Sequence, residues 1–178
     1  PASQTDDKDA VTAEDMKNLV FELKQLHDFV IIDCPAGIEQ GFKNAIAGAD
    51  EAIVVATPEV SSIRDADRVV GLLAANDVPT KLIVNRISPH MVKRGDMLSQ
   101  TDVIEILALE LLGAVPLDEE IVASTNKGMP ASVGGRSAAA REFQAIARRL
   151  TGVEVEEVPV ANPGFFARIS RALGLSPA

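Results

Sequence analysis

Apolar positions along the chain switch between two periods, and the switches mark its elements. Met16, Leu19, Val20, Leu23 and Leu26 recur at helical spacing behind Thr12 and Asp15, a capping box with Asp in place of the usual Glu or Gln. Phe29-Val30-Ile31-Ile32 is a short continuous apolar run ended by Asp33, the pattern of a strand buried on both faces in a parallel sheet. A short helix around Phe42–Ala47 leads to a second run, Ala52–Ala56. Ser61 or Ser62 then caps a helix that turns Ile63, Ala66, Val69, Val70 and Leu73 inward. Lys81–Asn85 reads as a third strand, Ser88–Gly95 as a polar loop, Thr101–Ala108 as a helix and Leu111–Val115 as a fourth strand stopped by Pro116. Helices over Asp118–Thr125 and Ser137–Leu150 follow, with Gly128 and Gly152 placed to end them.

Strand and helix alternate throughout, which predicts an α/β fold with a doubly wound, mostly parallel sheet. The first helix has no strand before it, and one or more N-terminal strands missing from the sheet fit that pattern. Residues 1–151 are expected to form the domain, 152–162 a short acidic, Val-rich linker and 163–178 a separate tail behind Asn162-Pro163-Gly164.

Composition narrows the function. The 178 residues carry a net charge of −9, which argues against a general nucleic-acid surface. The single cysteine, Cys34, allows no internal disulfide and suits a reducing compartment. Two histidines, His27 and His90, and one cysteine make no zinc cluster. No apolar run is long enough to span a bilayer.

Candidate chemistry lies at strand ends, because open α/β sheets bind ligands at the carboxyl ends of their strands. Asp33, after four apolar residues, has the pattern of a Walker B carboxylate facing a nucleotide-bound magnesium. Pro35 and Gly37 would turn the backbone so that its N–H groups meet a γ-phosphate. By itself the pattern equally suits an aspartate that caps the next helix. Asn85 equally suits a turn after a strand.

Five segments taken together are more specific. Pro1-Ala2-Ser3-Gln4-Thr5, Asp33-Cys34-Pro35-Ala36-Gly37-Ile38-Glu39, Pro58-Glu59-Val60-Ser61-Ser62-Ile63-Arg64-Asp65, Arg94-Gly95-Asp96-Met97-Leu98-Ser99 and Asn126-Lys127-Gly128-Met129-Pro130 resemble, in order and interval, the MinD family of septum-site ATPases. The resemblance implies a P-loop NTPase-like fold of the deviant-Walker-A class. It also implies ATP and magnesium as cofactors, an ATP-dependent homodimer, and residence at the inner face of the cell membrane. It places Asp33 by the magnesium and the attacking water, Ala36 and Gly37 in the γ-phosphate switch, Asn85 and Arg86 on the adenine side, and Pro116, Leu117 and Asp118 in the loop closing over the base. The helix bearing Glu59, Ser61, Arg64, Asp65 and Asp67 becomes a docking surface for MinC and, where it exists, MinE. On spacing alone that helix is a solvated face on which Asp65 and Arg68 can pair.

The departure from the family is as informative. No segment matches the lysine-bearing glycine-rich loop that cradles phosphates, and Gly134-Gly135-Arg136-Ser137 lacks the lysine. The expectation is a fragment of an ATPase that cannot bind ATP alone. The tail adds a membrane reading. Phe165, Phe166, Ile169 and Leu173 share one face of a helix of roughly 12 residues, with Arg168 and Arg171 beside it and no acid from 162 onward. Such a helix suits the interface of an anionic membrane, although packing on its own domain has the same pattern. Two other functions compete: a ParA-like partition ATPase, which the acidic body disfavours, and a non-catalytic membrane adaptor that keeps partner docking.

Overall fold

The computed structural model describes residues 11–35 and 37–153. They form an α/β fold whose contacts divide into two compact units, Pro1–Ala52 with Arg68–Thr80 and Ile53–Asp67 with Lys81–Ala178.

In the first unit, helix α1 (Ala13–Lys24) opens on the expected capping box. The Asp15 amide donates to Thr12 Oγ1 at 3.1 Å, and the Thr12 amide to Asp15 Oδ2 at 2.9 Å. Helix α2 (Gln40–Ala47) packs on α1, and Val20 closes over Gly48, where an ideal Cβ would lie 3.1 Å from Val20 Cγ2. Buried Asn44 donates from Nδ2 to the Val11 carbonyl at 2.5 Å, tying the start of α1 to α2.

One expectation fails here. Phe29–Ile32 does not form a strand, and Phe29 and Ile31 are 63% and 91% exposed. A strand exists through a neighbour's N–H and C=O groups, and this run has no ladder with any strand of the sheet. Among the described residues the sheet therefore has three strands where the apolar runs predicted four.

The second unit is built on that sheet: β1 (Ala52–Ala56), β2 (Thr80–Ile87) and β3 (Glu110–Pro116), in the order β1-β2-β3, with β2 and β3 parallel. Central β2 is buried on both faces, with Leu82 and Val84 on one side and Ile83 on the other. Helix α3 (Val60–Ala75) begins before either candidate cap, because Ser62 Oγ instead accepts the Thr57 amide at 3.0 Å. Ser88–Gly95 is not a loop but helix α4 (Pro89–Arg94). Ser88 caps it, Pro89 occupies the first turn where its missing N–H is harmless, and Gly95 ends it in the left-handed conformation at φ 88°. Helix α5 (Gln100–Leu107) starts on a buried capping box in which Ser99 and Asp102 satisfy each other's amides.

Helices α6 (Glu119–Asn126) and α7 (Ala138–Leu150) follow β3. Ala139 and Ile146 of α7 join Ile83, Leu112 and Val115 in one core cluster, with Phe143 and Ile121 at its margin. Leu112 is an extra residue in β3, since Leu82 pairs with Leu111 and Ile83 with Gly113. Two α7 side chains satisfy backbone groups flanking this bulge. Arg149 donates to the Leu112 carbonyl at 2.8 Å, and Glu142 accepts the Ala114 amide at 3.3 Å while pairing with Arg149 at 3.0 Å.

Candidate functional site

Within the second unit, the carboxyl ends of β2 and β3 bring most of the expected base-side residues together. Val84 pairs with Ala114 and Ile87 with Pro116, so Asn85 and Arg86 together oppose Val115 alone. This bulge turns Arg86 into the left-handed region at φ 60°, a conformation that costs a side-chain-bearing residue about 1 kcal/mol or more. Asn85 steadies it, its Oδ1 accepting the Arg86 amide at 2.9 Å. The result is an exposed guanidinium at the strand end beside a half-buried amide. Directly alongside, the Leu117 amide donates to the Ile87 carbonyl at 2.9 Å, and the Leu117 side chain is 54% exposed.

Asp118, which the resemblance assigns to the loop over the base, caps helices here. Its Oδ1 accepts the Glu120 amide at 2.9 Å as N-cap of α6, and its Oδ2 accepts the Ala139 amide of α7 at 3.3 Å. The Glu120 amide, the Ser137 hydroxyl and the Ala139 amide hold its carboxyl below the usual aspartate range. The sequence does contain the signal for half of this: an Asp followed by two glutamates is an N-cap with an acidic first turn. The link to α7, twenty-one residues on, has no sequence signal.

The switch-side residues lie in the first unit. Asp33 and Gly37 are exposed, and Gly37 sits at φ 97°, which a side chain would strain. The loop is packed against α2, since an ideal Cβ on Gly41 would come within 2.9 Å of Pro35 Cγ. Burial first, then the charge of Asp33, raise the Cys34 thiol above its ordinary value, so this cysteine is not an activated thiolate. Ala36 falls outside the described residues. No group of three or more His, Cys, Asp or Glu side chains suited to a metal occurs among the described residues. A magnesium here would need nucleotide phosphates and further donors besides Asp33. The sequence supplies no lysine loop for a nucleotide's phosphates. A depression of about 530 Å³ in the first unit, lined by Lys17, Phe42, Lys43 and Leu72 among others, contains none of the expected site residues.

The ParA family model, described as NUBPL iron-transfer P-loop NTPase, matches residues 10–151. The MinD protein of Bacillus subtilis is 47% identical across 98% of this chain and 67% of its own length. The chain belongs to the ParA/MinD family. It is also similar to the solved MinC:MinD cell division protein complex of Aquifex aeolicus, with 43% identity and a TM-score of 0.78 over 87% of this chain and 64% of that one. It is similar again to Pyrococcus horikoshii MinD complexed with Mg-ADP, with 25% identity and a TM-score of 0.72 over 84% of this chain and 60% of that one. The chain thus spans about two thirds of the length of the MinD proteins it matches.

Among the residues that the MinD resemblance marks for partner docking, Glu59, Ser61, Arg64, Asp65 and Asp67 are all exposed. Ile63 and Ala66 point the other way and are buried, so the first turns of α3 present a charged outer face on an apolar footing. The residues expected to meet the membrane, Phe165, Phe166, Arg168, Ile169, Arg171 and Leu173, fall outside the described residues. No described helix is long and apolar enough to cross a membrane.

Proposed function

We propose that these residues supply the base-recognition, switch, partner-docking and membrane parts of a MinD-type ATPase that positions the division septum. The observation that carries the reading is the bulged end of β2, with Asn85 and Arg86, beside Pro116 and Leu117 at the end of β3. Ligands of open parallel sheets bind at such strand ends, and strained, bulged backbone clusters at functional sites. The similarity to MinD septum-site proteins, one solved in complex with MinC and one with Mg-ADP, supports the same assignment.

In this reading ATP and magnesium are bound by the complete protein. Asp33 orients the metal and its water, and Ala36 and Gly37 sense the γ-phosphate. The outer face of α3 takes MinC, and MinE where it is present. ATP-driven homodimerisation doubles the number of amphipathic tails. One short helix holds an anionic membrane weakly, and two bind far more tightly through effective concentration. The protein is thereby cytoplasmic in its free state and peripheral on the inner membrane face when dimeric.

The test compares this 178-residue chain with the complete protein. The chain is expected to give no magnesium-dependent ATP isotherm at micromolar concentrations, whereas the complete protein binds and hydrolyses ATP and loses hydrolysis in Asp33→Ala. Full hydrolysis by the Asp33→Ala protein would refute the Walker B role. A complete protein that binds MinC and membrane yet neither binds nor hydrolyses ATP would be the adaptor instead.

A further inference from the structure

We propose that Asp118 is a positioning residue that clamps the starts of α6 and α7 together and so holds Leu117 in place beside the bulged end of β2. This rests on the base-side reading of that strand end.

The first amides of a helix have no partner within it, and in α7 two of them belong to Ala139 and Ala140, both 0% exposed and out of reach of water. Ser137 Oγ takes the Ala140 amide at 3.2 Å. The Ala139 amide goes to Asp118 Oδ2 at 3.3 Å, on a different segment of chain. The other oxygen, Oδ1, takes the Glu120 amide at 2.9 Å. One carboxylate therefore serves two helix N-termini, each of which favours negative charge.

Both oxygens are thus oriented by main-chain N–H groups of the protein itself. The groups left facing outward at this strand end are Leu117 and Arg86. Leu117 is held from two sides: its own amide binds the Ile87 carbonyl, and its neighbour Asp118 is pinned to α6 and α7. Helix α7 is in turn anchored at its far end by Arg149 on the Leu112 carbonyl. Displacing α7 along β3 would break the Asp118 link and release the loop, so loop and helix move as one. Any ligand that prefers the ordered loop must then also favour the docked helix, by reciprocity of coupling.

Two measurements test this, one of them independent of nucleotide. In the 178-residue chain, Asp118→Ala is expected to speed amide exchange at both Glu120 and Ala139 by about tenfold, and to leave Asp102 in α5 unchanged. Asp118→Asn, which has one acceptor oxygen for two amides, is expected to speed at least one of Glu120 and Ala139 while leaving Asp102 unchanged, and serves if Asp118→Ala does not fold. In the complete protein, Asp118→Ala should raise the KM for ATP at least about fivefold while kcat changes less than about twofold, and Asp118→Asn, whose single acceptor oxygen can hold only one of the two amides, should recover at most part of the loss. Unchanged exchange at Ala139 overturns the clamp. A raised KM in Asp118→Ala with exchange at Glu120 and Ala139 unchanged makes Asp118 a direct ligand contact and likewise overturns it. An unchanged KM in Asp118→Ala overturns the coupling if Asn85→Ala raises KM. If Asn85→Ala also leaves KM unchanged, it is the base-side reading itself that falls, and the coupling built on it falls too.

Discussion

Replacing Gly113 with alanine probes the contact that organises the second unit. An ideal Cβ at this position would lie 2.4 Å from Ile146 Cγ1, 2.8 Å from Ile146 Cδ1 and 2.6 Å from Glu142 Oε1. Neither neighbour can yield easily. Ile146 is 5% exposed and locked among Ile83, Leu112 and Val115. Glu142 is held by Arg149 and by the Ala114 amide. Forcing a methyl group into a packed core costs about 1–3 kcal/mol. Displacing Glu142 weakens a charge-assisted hydrogen bond worth about 1.5–3 kcal/mol when lost outright, and only part of that applies because the Glu142 and Arg149 side chains are 26% and 23% exposed. Alanine recovers up to about 1 kcal/mol through its smaller backbone entropy loss. The expected net destabilisation is about 2–3 kcal/mol, or a fall in Tm of about 4–12 °C for a chain of this size. With no Trp or Tyr in the sequence, far-UV circular dichroism in a urea or thermal series is the appropriate readout. Gly71→Ala is the internal control of opposite sign. It lies within α3 with nothing inside 4 Å of its Cβ position, so it should stabilise by about 0.5–1 kcal/mol. A Gly113→Ala variant within about 0.5 kcal/mol of wild type would refute the close seating of α7 on β3.

The Asp118 carboxyl is held below its unfolded value of about 3.9, so its stabilising links are whole above roughly pH 5 and are lost as pH falls through the lowered folded value. Protection of the Ala139 amide should therefore decline with acid in wild type and show a much flatter pH profile in Asp118→Asn; equal profiles would sink the assignment. For the tail, Phe166→Glu is expected to weaken vesicle binding at least about tenfold, or roughly 1.4 kcal/mol. Arg168→Ala should weaken it by about 1 kcal/mol, and only on anionic vesicles. Unchanged binding by Phe166→Glu together with a lowered Tm would mean that the tail packs on its own domain.

What the chain carries locally was legible without coordinates. Helix starts follow from side chains that satisfy amides two or three residues away, so Thr12 with Asp15 marked α1, and β1 matched its apolar run residue for residue. The missed helix α4 was legible too, in Ser88-Pro89 at one end and Gly95 at the other, but its polarity disguised it as a loop. Tertiary structure alone decided the rest. The run Phe29–Ile32 has every local mark of a buried strand and is not one, because a strand is a relation to a neighbour and no periodicity records whether the neighbour is there. The bulges at Leu112 and at Asn85–Arg86 arise from registry between strands more than twenty residues apart. The second oxygen of Asp118 finds its partner in α7 only once α7 has packed on β3. Short-range hydrogen bonds are written in adjacent residues. Ladders, bulges and shared caps depend on distances that packing sets, and those no window of sequence contains.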